Sequence, residues 1–151
     1  MTTVLILTYI LSGLASAISL FIAIKQLRSY IKKPIYLCAN TEAFAHSKSS
    51  LNPFYKNGNA YVELPPQKGK RFIYGRSKNA RIQAPSSQLT VSAEQFCIYW
   101  ETGWKLKDMD SMNGTYLNGV KLPPNTTKRI HIGDIISVGP TEFHVAKDYN
   151  T

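Results

Sequence analysis

Side chains able to do chemistry are few and scattered in this chain. His46, His131 and His144 stand far apart, and nothing about them matches a metal-ligand spacing. Cys38 and Cys97 sit in apolar runs and read as buried free thiols rather than a disulfide. Asp108 and Asp110 are close together, yet beside an Asn-Gly pair they read as turn-stabilising acceptors, as does Asp134 after Gly133. With no nucleophile-base pair and no metal constellation, an enzyme is the last class to expect, and no cofactor is implied. Recognition chemistry remains. The carboxamide of Asn113 is held by its neighbours at a loop tip, free to bond the backbone of another chain.

The elements that hold it there lie in residues 104–122, WKLKDMDSMNGTYLNGVKL. Trp104, Leu106 and Asp108 alternate with Lys105 and Lys107, the period of a strand with one buried face. Asn113-Gly114 and Asn118-Gly119 follow, each the dipeptide favoured in type I′ turns because both central residues need positive φ. Thr115-Tyr116-Leu117 is β-branched and aromatic, a short strand suspended between two corners.

This stretch resembles the signature of forkhead-associated (FHA) domains, and the likeness extends beyond it. Gly75-Arg76 stands upstream, then Val91-Ser92-Ala93-Glu94-Gln95 before the apolar run of residues 96–100; residues 132–139, IGDIISVG, stand downstream. In order and spacing these are similar to the family's Gly-Arg, Ser-x-x-His, Asn-Gly and closing Gly-Asp blocks, across about half the chain. The resemblance implies a β-sandwich that binds phosphothreonine peptides. It places Arg76 and Ser92 on the phosphate and Asn113 on the peptide backbone, with Gly75, Gln95, Gly114 and Asn118 bracing the loops.

The physical logic fits. A phosphothreonine presents a near-dianion with three acceptor oxygens, for which a guanidinium fork is the best-shaped partner. Taken singly, Arg76 reads as a solvated charge and Ser92 as a turn hydroxyl; jointly they point to a phosphopeptide site. Ser77, Lys78 and Arg81 follow Arg76 and either thicken the positive field there or form a solvated loop. The chain departs from the family at Gln95, where His is usual, and at Ala93 and Met112, where extra donors are common. A Gln amide can donate and accept in a similar space. Each missing charge-assisted bond weakens binding by about 1.5–3 kcal/mol.

The N-terminal third has another character. Residues 4–24 contain no charge, and a helix of that length spans about 31 Å, close to the hydrocarbon core of a bilayer. No basic residue precedes the run, as a cleaved signal would need, whereas Lys25, Arg28, Lys32 and Lys33 follow it. The positive-inside rule then expects an uncleaved single-pass anchor in the cell membrane, N-terminus outside and C-terminal domain cytoplasmic. Ser12, Gly13, Ser16 and Ala17 read as ordinary membrane-helix composition or as a helix-packing face for an oligomer.

The expected organisation is an extracytoplasmic end at 1–3, a transmembrane helix over 4–24, a basic juxtamembrane segment over 25–33, an FHA domain over 34–147 and a tail over 148–151. The first strand is expected in residues 34–39, PIYLCA, with 40–59 an inserted loop; otherwise 40–59 is a tether. Residues 61–64 and 71–74 read as strands around a Pro-Pro turn, and Trp100 and Trp104 as aromatics of adjacent strands. The fold class is all-β, a sandwich of about eleven short strands behind one helix.

The net charge of +9 favours an acidic or phosphorylated partner, or an anionic membrane. The reading is a membrane-anchored phosphothreonine-peptide module docking phosphorylated partners, such as a Ser/Thr kinase or its substrate, in signalling or envelope and division processes. Its first rival is a phosphate-independent structural subunit with a degenerate FHA domain. Nucleic acid is not the expected partner.

Overall fold

The computed structural model describes residues 2–31, 33–44, 51 and 53–149, and within the N-terminal helix only the side chains of 12–25 and 27. Lys32, His46 and the Ser-rich residues 47–50 fall outside the described residues. The chain divides into two compact units, 1–33 and 34–151.

The first unit is helix α1, Thr2–Ile31. Among the described residues no helix is long and apolar enough to cross a membrane. The transmembrane helix expected over 4–24 therefore finds no support in the fold; the side chains of residues 4–11 lie outside the described ones.

The second unit is a sandwich of two sheets. One has seven strands in the order β2-β3-β1-β12-β11-β8-β9, where β1 is Ile35–Asn40, β2 Phe54–Lys56, β3 Asn59–Leu64, β8 Tyr116–Leu117, β9 Val120–Lys121, β11 Ile135–Val138 and β12 Thr141–Ala146. The other runs β10-β7-β6-β4-β5, with β4 Arg71–Gly75, β5 Ile82–Gln83, β6 Phe96–Trp100, β7 Trp104–Asp108 and β10 Thr127–Arg129. Every pairing is antiparallel except β4 with β5.

Alternation decides which side chains enter the core. Ile35, Leu37 and Ala39 of β1 are buried while Tyr36 and Cys38 face outward, so Cys38 is half-buried rather than the core thiol expected. Trp104, Leu106 and Asp108 of β7 are buried between half-buried lysines, as their spacing predicted. An aromatic knot joins the sheets. Tyr74 stacks on Phe96 at 5.0 Å and meets Phe143 edge to face at 4.8 Å, while its hydroxyl donates to the Ala43 carbonyl at 2.9 Å. Burying each such ring stabilises the fold by about 1.5–3 kcal/mol, and Tyr74 leads directly into Gly75-Arg76.

The stretch expected as an insertion is partly structured. Asn57 and Gly58, at φ 51° and 78°, close a two-residue hairpin between β2 and β3. Asn118 and Gly119, at 51° and 78°, do the same between β8 and β9. The first Asn-Gly of the motif is different. Only Gly114 has positive φ, at 85°, so Asn113-Gly114 is not a type I′ corner.

Register gives the sandwich two distinct ends. Gly75, Phe96 and Asp108 come to one end, and Gly139, after β11, packs there against Thr90. At the other end lie Ile35 opposite Leu64, Tyr36 opposite Ala146, and Trp100 opposite Trp104.

Candidate functional site

Three loops meet at the first end, and one short segment, residues 90–92, organises them. The Arg76 Nε donates to the Val91 carbonyl at 2.5 Å. The Met112 N–H donates to Ser92 Oγ at 3.0 Å, and Asn113 Nδ2 donates to the Thr90 carbonyl at 2.8 Å. The side chains of Arg76 and Asn113 and the Met112 N–H thus touch three consecutive residues, and Arg76, Ser92 and Asn113 share one rim.

Backbone bonds lock the loops together. The Arg76 N–H donates to the Ser92 carbonyl at 3.0 Å and the Ser77 N–H to the Ala93 carbonyl at 2.9 Å. This close approach requires glycine at position 75, where a Cβ would run into the Ala93 carbonyl, whose carbon would be 2.8 Å away. Here the residue's role is absence of a side chain rather than positive φ.

Beneath the rim, Gln95 is fully buried. Its Oε1 accepts from the Ser92 N–H at 2.9 Å, and its Nε2 donates to the Gly114 carbonyl at 3.0 Å and to Thr115 Oγ1 at 3.2 Å. One amide therefore ties the serine loop to the asparagine loop. Asp108 is also buried, and accepts from Ser111 Oγ at 2.6 Å, the Ser111 N–H at 3.1 Å and Thr115 Oγ1 at 2.7 Å. Both are instances of buried polar groups kept by full satisfaction. Asn118 braces from the far side: its Nδ2 donates to Asp134 Oδ1 at 2.9 Å and its Oδ1 accepts from the Ile135 N–H at 2.8 Å.

The bonding leaves chemistry to spare. Ser92 Oγ accepts from the protein, so its own proton is available to an incoming oxygen. Asn113 keeps Oδ1 and a second Nδ2 hydrogen. Lys105 pairs with Glu101 and His131 with Asp134, and no carboxylate neutralises Arg76 among the described residues. Lys78 is exposed nearby, and Ser77 Oγ accepts from the Asn79 N–H at 3.2 Å.

Some rim residues were not singled out from sequence. Lys121 of β9 lies against Gly114, its Nζ 3.1 Å from where a Cβ would stand, and adds a cation beside Asn113. A run of residues gives no sign of such a cross-strand neighbour. Leu89, 78 % exposed just before Thr90, adds apolar surface next to Met112, itself noted from sequence and 90 % exposed. A cleft of about 350 Å³ opens beside Asn113, lined by Tyr116, Gly119, Ser137 and Gly139. No cluster of His, Cys, Asp or Glu able to hold a metal occurs among the described residues.

A two-sheet sandwich presenting a loop rim at one end defines a class, and comparison with known proteins finds similarity to one family. The model of the FHA domain matches residues 72–139. An FHA domain solved in a study of phosphothreonine-dependent interactions is 21% identical with a TM-score of 0.54, covering 77% of this chain and 98% of that one. The FHA domain of the CT664 protein from Chlamydia trachomatis is 18% identical with a TM-score of 0.53, covering 78% of this chain and 99% of that one. Mycobacterium tuberculosis EmbR in complex with a low-affinity phosphopeptide is 18% identical with a TM-score of 0.56, over 79% of this chain but 26% of EmbR. No curated protein matches. The second unit carries an FHA-type β-sandwich.

Proposed function

We propose that the protein is a phosphothreonine-peptide-binding module, held at the cytoplasmic face of the membrane by α1, which docks phosphorylated partners there. The observation that carries the binding reading is the convergence of Arg76, Ser92 and Asn113 on residues 90–92 without an internal carboxylate for the guanidinium. Phosphate meets Arg76 and the Ser92 hydroxyl; the carboxamide of Asn113 bonds the peptide backbone; the cleft beside it takes a neighbouring side chain. The FHA family and the phosphopeptide complexes among structures of this fold support that chemistry. It is recognition rather than catalysis.

Membrane attachment rests on the uncharged residues 4–24 and the basic residues after them. Leu14, Ile18, Leu20, Phe21 and Ile24 of α1 are all exposed, an apolar surface suited to lipid. Attachment raises the effective concentration of membrane partners, so a pocket with few donors suffices. Ser/Thr-kinase signalling and envelope or division processes are the settings that this layout suggests.

A second reading, a phosphate-independent structural subunit, is favoured by Ala93 and by the exposed thioether of Met112 where phosphate donors would stand. The test is binding of residues 34–151 to a phosphothreonine peptide library, with unphosphorylated peptides and Arg76→Ala as controls. Phosphate-dependent binding lost in the variant supports the module; equal binding by both proteins, or none, supports the subunit.

A further inference from the structure

The end of the sandwich opposite the rim carries its own charge pattern. Register sets Arg71, Tyr99, Lys105 and Arg129 in one row across β4, β6, β7 and β10. Lys105 is paired with Glu101, whereas no carboxylate pairs with Arg71 or Arg129 among the described residues. Arg71 lies over the Tyr99 ring at 5.7 Å, and Arg129 runs alongside Gly103. Lys68, in the turn before β4, joins them around a small cleft of about 240 Å³ shared with Arg71 and Tyr99.

Apolar groups lie at the same end of the sandwich. Ile132, in the turn after β10, is 56 % exposed. On the outer face of the neighbouring sheet, Tyr36, Phe54 and Tyr149 meet edge to face at 5.3–6.2 Å, and Phe54 and Tyr149 are exposed. Cations with amphipathic rings and a bare aliphatic side chain suit the boundary between headgroups and acyl chains. A polyanion in water would reward the charges alone.

The chain supplies the reach. Only residues 32–34 separate the end of α1 from the start of β1, a distance of at most about 14 Å even when fully extended, and β1 starts at this basic end. We propose that this end is a docking face for anionic phospholipid headgroups, which turns the Arg76 rim away from the bilayer and toward partners in solution. The inference rests on the membrane attachment proposed above.

Because every core residue of the sandwich lies in residues 35–145, the unit 34–151 closes its own core and can be tested alone. It is sedimented with vesicles of phosphatidylcholine and of phosphatidylcholine mixed with phosphatidylglycerol. The expected result is binding to the mixed vesicles only, weakened about tenfold or more by Lys68→Glu, Arg71→Glu and Arg129→Glu together, since each cation near an anionic surface contributes separately. Ile132→Ser should weaken it severalfold, and Lys78→Glu with Arg81→Glu at the rim should leave it unchanged. Retained phosphopeptide binding shows that the triple variant is folded; were it unfolded, the Ile132→Ser and rim variants still decide. No preference for the mixed vesicles, a loss confined to the rim variant, or duplex DNA bound as tightly at equal salt would overturn the proposal. Failure of the anchor reads out separately, as release of the full chain from membranes by salt, and failure of the phosphopeptide reading as Arg76-independent peptide binding.

Discussion

The Arg76 guanidinium is held by the Val91 carbonyl, its Nε donating across 2.5 Å to the residue just before Ser92. One bond thereby fixes the cation next to the hydroxyl with which it shares the rim. A guanidinium held through Nε loses less side-chain freedom when a phosphate arrives, which favours binding. It follows that Arg76→Ala should weaken phosphothreonine-peptide binding by at least about 1.5–3 kcal/mol, tenfold to a hundredfold, by loss of charge-assisted bonds. Calorimetric titration measures the affinity, and a thermal melt close to that of the wild type shows that the half-buried side chain was not needed for folding.

Gly75→Ala should act through the backbone. The new Cβ meets the Ala93 carbonyl, which cannot yield as a flexible side chain would, so β4 and the serine loop must part. Expected is a loss of about 1–3 kcal/mol in urea unfolding, as for overpacking, together with weaker peptide binding.

Gln95→Leu should lower stability and affinity together. The apolar side chain leaves the Ser92 N–H and the Gly114 carbonyl without their partner, at about 1–3 kcal/mol for each buried group so stranded. Gln95→His, whose ring can also donate and accept, should recover part of both losses in the same two assays.

Alkaline pH should destabilise the sandwich in a defined direction. Burial pushes both the Cys97 thiol and the Tyr74 phenol up. Each stays neutral in the fold but ionises at its ordinary pKa in the unfolded chain, so stability is intact below about pH 8.5. It then falls as pH rises past about 8.5 for the thiol and about 10 for the phenol, toward the folded-state values. Urea midpoints between neutral and alkaline pH check this, and Cys97→Ala should flatten the first part of the decline.

Met112→Thr is a gain-of-function test. The methionine is 90 % exposed and beside Ser92, so its removal costs little packing while a hydroxyl adds a donor toward phosphate. A severalfold to tenfold rise in phosphopeptide affinity is expected, from about 0.5–1.5 kcal/mol for one more hydrogen bond, with the melting temperature unchanged.

Much of this fold is legible in short stretches because local pattern and tertiary role agree there. The alternation of Trp104 to Asp108 and the Asn118-Gly119 corner give β7 and the β8–β9 hairpin their observed forms. Where one signal serves two geometries the sequence misleads. Asn113-Gly114 looks like its neighbour, yet its asparagine is turned to reach Thr90 and only the glycine takes positive φ. Asn57-Gly58 looks like a loop because the strand before it, Phe54–Lys56, has only three residues and an exposed edge, yet it closes a hairpin. Cys38 sits in an apolar run but falls on the outward half of the alternation. The blocks carrying Arg76, Ser92 and Asn113 are readable in order; the use of Thr90 and Val91 carbonyls as their seats is not, since backbone acceptors carry no residue signature.

The most direct measurement is the affinity of residues 34–151 for a library-selected phosphothreonine peptide, set against the same peptide without phosphate and against Arg76→Ala, Ser92→Ala and Asn113→Ala. Convergence at the rim predicts binding that requires the phosphate and falls in all three variants while the melting temperature holds. Binding indifferent to phosphate, or undiminished by loss of the guanidinium, would contradict it.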